Sequence, residues 1–245
     1  MQQTVEESLA RVLRLHEPVR TVVAGRTDAG VHATGQVAHV DLPVPVDPLR
    51  LHRGMNGVLP PDVRVREVSA APAGFDARFS ALARRYAYRV TDRVPDPLRR
   101  NDTLAWRRPL DAEAMQAASS SLLGEHDFAA FCKRREGATT NRRLLRLDWE
   151  RDAEGVLVAT VGADAFCHSM VRALVGALIA VGEGRRSEQW PAEVLRAGLR
   201  DPGVPVAPAH GLTLREVTYP PEHVLAERAV QTRRLRVPDA PSRSA

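Results

Sequence analysis

The chain has 245 residues, enough for one large domain or two small ones around a real core. Apolar residues make up 44% and charged residues 27%, the balance of a soluble globular protein, and no apolar run approaches the roughly 18 residues that cross a bilayer. Lys plus Arg outnumber Asp plus Glu by 35 to 30, a net charge of +5, so a polyanion is the natural partner and a membrane is not. The start, Met1-Gln2-Gln3-Thr4-Val5-Glu6-Glu7, has neither the basic residues nor the apolar core of a signal peptide, which points to the cytoplasm. Cys132 and Cys167 are the two cysteines, far apart and without a metal-ligand spacing, so neither a disulfide framework nor a structural zinc is expected.

In chain order, Thr4-Val5-Glu6-Glu7 has the form of a capping box, with Val5, Leu9, Val12 and Leu13 on one face behind it, and predicts a helix to about residue 15. Thr21-Val22-Val23-Ala24 is an apolar strand pattern, and Gln36-Val37-Ala38-His39-Val40-Asp41 is another. Between them lie Gly25-Arg26-Thr27-Asp28-Ala29-Gly30-Val31-His32-Ala33-Thr34-Gly35. Most links between strands are far shorter, and loops of this length usually carry function. Three glycines at intervals of five let such a backbone bend and approach a ligand, and among them stand one carboxylate, one guanidinium and one imidazole. A Gly-rich turn with Asp28 as its turn former is the plainer alternative.

A short helix is expected at residues 49–55 and a strand at 63–68. Residues 84–91 alternate, with Arg85, Ala87 and Arg89 facing one way and Tyr86, Tyr88 and Val90 the other. Prolines and arginines at 92–101 suggest a link between two parts of the chain. Asp111 caps a helix whose buried face holds Met115, Ala118 and Leu122, with Gly124 as its stop. Strands follow at 144–150 and 156–161, then a nearly all-apolar helix at 169–181, a helix at 191–199 and a strand at 212–218. The prolines, arginines and small residues of 221–245 suggest a flexible tail. Strands and helices thus fall into two batches, 1–95 and 96–220, and the architecture expected is α+β with helices on largely antiparallel sheets.

Two features point to chemistry. Residues 133–146 carry Lys133, Arg134, Arg135, Arg142, Arg143 and Arg146 against one acid, Glu136, a charge density suited to nucleic acid. Arg172 lies on the apolar helix, where a guanidinium needs a charged or hydrogen-bonding partner; from the sequence, Asp127, Asp164 and Asp28 are all open to it. Asp28 and His32 stand four apart, but two ligands make no metal site.

Gly25 to Ala33 resembles the signature of the tRNA pseudouridine synthase A family, in which the Asp is the catalytic residue. Phe75-Asp76-Ala77-Arg78-Phe79-Ser80-Ala81 with Arg84-Arg85-Tyr86-Ala87-Tyr88 is similar to the family's second motif, with Asp76 where His is frequent. Phe166-Cys167-His168-Ser169-Met170-Val171-Arg172 is similar to the third, and Gly124-Glu125-His126-Asp127-Phe128 and Gly211-Leu212 to shorter landmarks. The resemblance runs from about residue 3 to 220. It implies that Asp28 is catalytic, that Tyr86 packs on the target uracil, that Arg172 pairs with Asp28, and that Arg26 helps bind substrate. His32, Arg78, Arg142 and Arg143 are further expected RNA contacts.

The resemblance also implies two domains with ferredoxin-like antiparallel sheets around a central basic cleft, a homodimer, and isomerisation of uridines at positions 38–40 of the transfer RNA anticodon stem-loop. The chemistry needs no cofactor and no metal. Family members begin with a strand ending in Tyr-Asp-Gly and a Gly-Trp-Gln segment. Neither precedes Thr4 here, so the first sheet is expected to be one strand short, and a non-catalytic binder of structured RNA stands as the alternative. A metal hydrolase using Asp28 and His32 is a weaker third reading.

Overall fold

In a computed structural model, residues 1–133 and 139–234 are described. Arg134, Arg135 and Glu136 of the basic run, and 235–245 of the expected tail, lie outside them.

Helix α1 (Gln2–Leu13) begins before the expected capping box. Gln2 and Gln3 bond to Glu6 and Glu7 one turn on, at 2.9 and 2.7 Å, so Thr4 lies inside the helix and its box never forms. Glu6 also accepts from the backbone N–H of Thr21, its main partner, which holds its carboxyl below the usual range and ties the helix to the strand that follows. That strand, β1 (Val22–Val23), pairs antiparallel with β3 (Ala38–His39), and β2 (His32–Ala33) lies within the long loop between them. Helix α2 (Pro48–Val58) is capped by Asp47, which accepts from Leu49 and Arg50, and Pro48 sits at the first turn, where its missing N–H is not needed. Leu9, Leu51, Met55 and Leu59 form a small core between α1 and α2.

The strand expected at 63–68 is absent. The backbone of Val65 spends its hydrogen bonds on side chains of α2 instead: its N–H donates to Asn56 Oδ1 at 2.9 Å, and its carbonyl accepts from Asn56 Nδ2 at 2.8 Å. A segment whose polar groups are met this way needs no ladder partner.

The remaining strands are β4 (Ala83–Thr91), β5 (Leu104–Ala105), β6 (Gly124–Asp127), β7 (Asn141–Arg151), β8 (Leu157–Ala163) and β9 (Leu212–Thr218). They join β2 in a seven-stranded sheet of order β2-β9-β4-β8-β7-β6, with β5 beside the end of β4. Only the β2–β9 and β4–β5 pairs are parallel. The sheet therefore runs across residue 95, since β4 lies before that point and pairs with β8 and β9 after it. Helices α3 (Ala112–Ser120), α4 (Met170–Gly182) and α5 (Trp190–Ala197) contribute to one large core with this sheet. Asp111 caps α3 as expected, accepting from Glu113 and Ala114, and Met115, Ala118 and Leu122 are buried. Part of the expected tail is ordered: α6 (Leu225–Arg234) buries Leu225 and Ala229, and its Arg233 pairs with Asp76 at 2.6 Å.

The long loop of 25–35 is stitched at both ends. Gln36 Nε2 donates to the Gly25 carbonyl at 2.7 Å, and the N–H groups of Thr34 and Gly35 both reach the Leu214 carbonyl of β9. Its three glycines serve different ends. Gly30 has φ +81°, which closes the turn in which Val31 N–H meets the Asp28 carbonyl at 3.1 Å. Gly35 permits close approach, because a Cβ there would lie 2.1 Å from the Arg215 carbonyl oxygen, whereas Gly25 has open space. We therefore expect Gly35→Ala to destabilise the protein by about 1–3 kcal/mol, since the obstacle is backbone and cannot step aside. Gly25→Ala should stay within about 0.5 kcal/mol of the parent. Thermal unfolding checks both, at about 2–4 °C per kcal/mol in a chain of this size.

Candidate active site

Asp28 projects from its turn into a cleft of 1880 Å³ lined by residues of the 25–35 loop, β4, the segment before α4, and the stretch after α5. Arg172 stands in the first turn of α4, a helix with twelve buried residues. Its guanidinium is satisfied on two sides: Nε donates to the Ala207 carbonyl at 2.7 Å, and Nη1 to Asp28 Oδ2 at 2.9 Å. Of the three partners the sequence leaves open, the structure selects Asp28. Both side chains are mostly sheltered, with 20% and 25% of their surfaces exposed.

Two further groups meet the same carboxylate, and neither was expected to. Nε2 of His168 lies 3.2 Å from Oδ1, and the Ser169 hydroxyl donates to Oδ2 at 3.3 Å. Both belong to the motif that contains Arg172, so the signal was present, but spacing gives no direction to a side chain ahead of a helix.

Tyr86 lies in the wall of this cleft, packed edge-on against Phe166 with centroids 5.2 Å apart. It is 8% exposed, and burial, with the nearby charge of Asp28 adding to it, pushes its phenol up to about 12. The alternation expected of β4 holds, and it carries Arg84 to the same buried face as Tyr86. That guanidinium donates to three carbonyls, those of Ala24, Arg78 and Asp164, at 3.0, 2.7 and 2.9 Å. Arg84 thus ties the strand entering the Asp28 loop to the segment entering the third motif.

Of the residues expected to contact substrate or RNA, Arg26, Arg78 and Arg142 line the cleft; Lys133 and Arg200 do so as well. Arg26 is exposed and has no side-chain partner among the described residues, leaving its donors open to a ligand. Arg142 is engaged already, donating to the Thr139 carbonyl at 2.7 Å and to the Asn141 carbonyl. Two expected contacts fall elsewhere. Arg143, one residue along β7, points to the opposite face and is not part of the lining. His32 lies outside the lining too, with its Nε2 2.6 Å from the Asn101 carbonyl, because β2 is held against β9.

Cys132 and Cys167 are bonded to each other, with Cα atoms 5.7 Å apart, contrary to the expectation that they stay single. A short turn (Ala129–Phe131) and the approach to α4 bring them together across 35 residues, a proximity that spacing does not reveal. A smaller hollow of 510 Å³ lies by the C-terminal end of α4, but its acid, Glu183, is taken up by Trp106 Nε1 at 2.9 Å and by Arg185. Among the described residues, no helix is long and apolar enough to cross a membrane.

A family model described as tRNA pseudouridine synthase matches residues 118–220. The chain is 65% identical to tRNA pseudouridine synthase A of Frankia casuarinae, over 99% of this chain and 89% of that protein. It is 58% identical to the enzyme of the same name from Streptomyces griseus, over 96% and 85%, and 51% identical to that of Mycobacterium leprae, over 95% and 86%. These matches place the chain among the RNA-modifying enzymes of the pseudouridine synthase class. The chain belongs to the tRNA pseudouridine synthase A family.

Burial raises all three tyrosines of the chain: Tyr86 to about 12, and Tyr88 and Tyr219 further. The native protein should therefore show no phenolate absorbance step near pH 10. The unfolded chain releases these protons first, so the stability contributed by the neutral phenols is complete below about pH 10 and falls as pH rises beyond it. A spectrophotometric titration alongside an unfolding curve at each pH checks the sign.

Proposed function

We propose that Asp28 is the catalytic carboxylate of this cleft and that Arg172 holds it for reaction with a uridine of transfer RNA. The chain is a tRNA pseudouridine synthase, an isomerase. The observation that carries the assignment of Asp28 is its carboxylate, 2.9 Å from the Arg172 guanidinium in a cleft walled by Tyr86. The reaction breaks the bond from N1 of uracil to C1′ of the ribose, turns the base, and joins C5 to C1′; C5 gives up its proton and the freed N1 takes one up, so the product is an isomer of the substrate. Nothing is oxidised or reduced, so the chemistry asks for a charged group, a place for the base and a shield from water.

Each requirement has a residue here. Among the described residues, Asp28 is the one acidic side chain in the lining, and it can act on sugar or base. The uridine must leave its stack to reach it, and the Tyr86 ring, beside Phe166, offers an aromatic face to replace lost stacking. Arg26, Arg78, Lys133 and Arg200 face the phosphates, and the cleft between the parts on either side of residue 95 is basic in this sense. Identity of 65% to a protein named tRNA pseudouridine synthase A, over 99% of this chain, favours the catalytic reading over the non-catalytic one. The target uridines are those at positions 38–40 of the anticodon stem-loop. The enzyme acts in the cytoplasm as a homodimer, a reading that rests on the family resemblance.

Asp28→Asn should abolish release of tritium from carbon-5-labelled uridine in bulk transfer RNA while leaving RNA affinity nearly unchanged. The amide keeps the shape and removes the charge, and an essential group typically contributes far more than tenfold. Activity within about tenfold of the parent rules out the assignment. Binding should also be salt-steep. Arg26→Ser should flatten the slope of log affinity against log salt by roughly one unit, the counterion equivalent of one phosphate contact.

A further inference from the structure

Helix α4 begins in an unusual way. Its N-cap, Ser169, has φ 64° and ψ 6°, one of two non-glycine residues with positive φ among those described. A serine at this position normally sits in the extended region and accepts a hydrogen bond from a backbone N–H in the first turn. Ser169 makes no such bond. Its side chain gives up the cap, and its backbone adopts a conformation that is unfavourable for any residue with a Cβ.

What the strained turn achieves is direction. It aims the Ser169 hydroxyl at Asp28 Oδ2, 3.3 Å away, while the residue before it brings His168 Nε2 to 3.2 Å from Oδ1. The His168 backbone is itself fixed, its carbonyl accepting from Lys133 N–H at 2.9 Å. Arg172 Nη1 bonds Oδ2 alone, a single point about which a carboxylate can still turn around its Cβ–Cγ bond. A second donor on Oδ2 and a ring nitrogen at Oδ1 remove that freedom. Backbone strain that persists at such a place is the signature of a residue kept for its geometry.

We propose that Ser169 is a positioning residue: through its left-handed turn and its hydroxyl it fixes, together with His168, the orientation of the Asp28 carboxylate. The proposal rests on the reading of Asp28 as the reacting group. Ser169 acts only through Asp28, so it governs the rate of the chemical step and not the capture of RNA.

Glycine adopts φ 64° freely and is accepted at a helix N-cap, so Ser169→Gly removes the hydroxyl while relieving the strain. The full chain carrying Ser169→Gly should melt no lower than the parent and bind transfer RNA with the same affinity and KM. Its kcat should fall by roughly ten- to a hundredfold, the scale of a misplaced catalytic group. Ser169→Asn, whose side chain tolerates the left-handed region and restores a donor, should return most of the lost rate. A Ser169→Gly protein with kcat within about twofold of the parent overturns the proposal. So does a fall in kcat matched by a lower melting temperature, or one that Ser169→Asn does not recover. Asp28→Asn, measured beside these, keeps the two readings apart: if it is inert while Ser169→Gly is fully active, the positioning role alone fails. If Asp28→Asn is active, the reading of the site itself fails.

Discussion

A guanidinium on the buried helix α4 has to be satisfied within the protein, and meeting that demand organises the site. Twelve residues of α4 are buried, and Arg172 is the helix's one charge. An unpaired cation there would be strongly unfavourable, because little water reaches it. Its two partners come from opposite directions: the Ala207 carbonyl ahead of β9, and the Asp28 carboxylate from the 25–35 loop. The ion pair therefore decides where that loop lies, and the same pair presents the carboxylate to the cleft. Structural necessity and the catalytic role proposed for Asp28 are met by one contact.

Arg84 plays the complementary part on the sheet. It is buried, and desolvation lowers its basicity, yet three carbonyls accept its protons. Hydrogen bonds to a charged group are stronger than those between neutral ones, and they are harder to lose where water cannot replace them. Through them the strand bearing Tyr86 is joined to Ala24, at the entry to the Asp28 loop, and to Asp164, at the entry to the segment that holds His168 and Ser169. The Cys132–Cys167 bond adds a covalent tie to that segment. The three sequence motifs are thus one mechanical unit, although about 140 residues separate Asp28 from Arg172.

The arginines of the cleft divide by occupation. Arg84 and Arg172 give their donors to carbonyls and to Asp28, and Arg142 gives Nη1 and Nη2 to Thr139 and Asn141 while its Nε has no partner among the described residues; Arg26 has no side-chain partner among them either. A count of basic residues along the chain therefore does not measure how many reach the cleft: of the adjacent Arg142 and Arg143, the first lines it and the second points away.

Much of this was legible in the sequence. The 3.6-residue periodicity and the Asp111 cap located α3, the unbroken apolar run located α4, and alternation assigned the faces of β4, because these signals are local. The motif around Asp28 named the carboxylate, and the isolated charge of Arg172 demanded a partner. Tertiary structure decided what local signals cannot. Asn56 in α2 satisfied the backbone of Val65, so no strand formed at 63–68, and burial of Leu225 and Ala229 drew α6 out of an expected tail. It chose Asp28 among three candidate acids, turned His32 toward the Asn101 carbonyl, and aimed His168 and Ser169 at the carboxylate. The sequence by itself determined which chemical groups are present and which helices and strands carry them. Which groups face one another depends on contacts between residues far apart in the chain, and those exist only once the sheet and helices have packed.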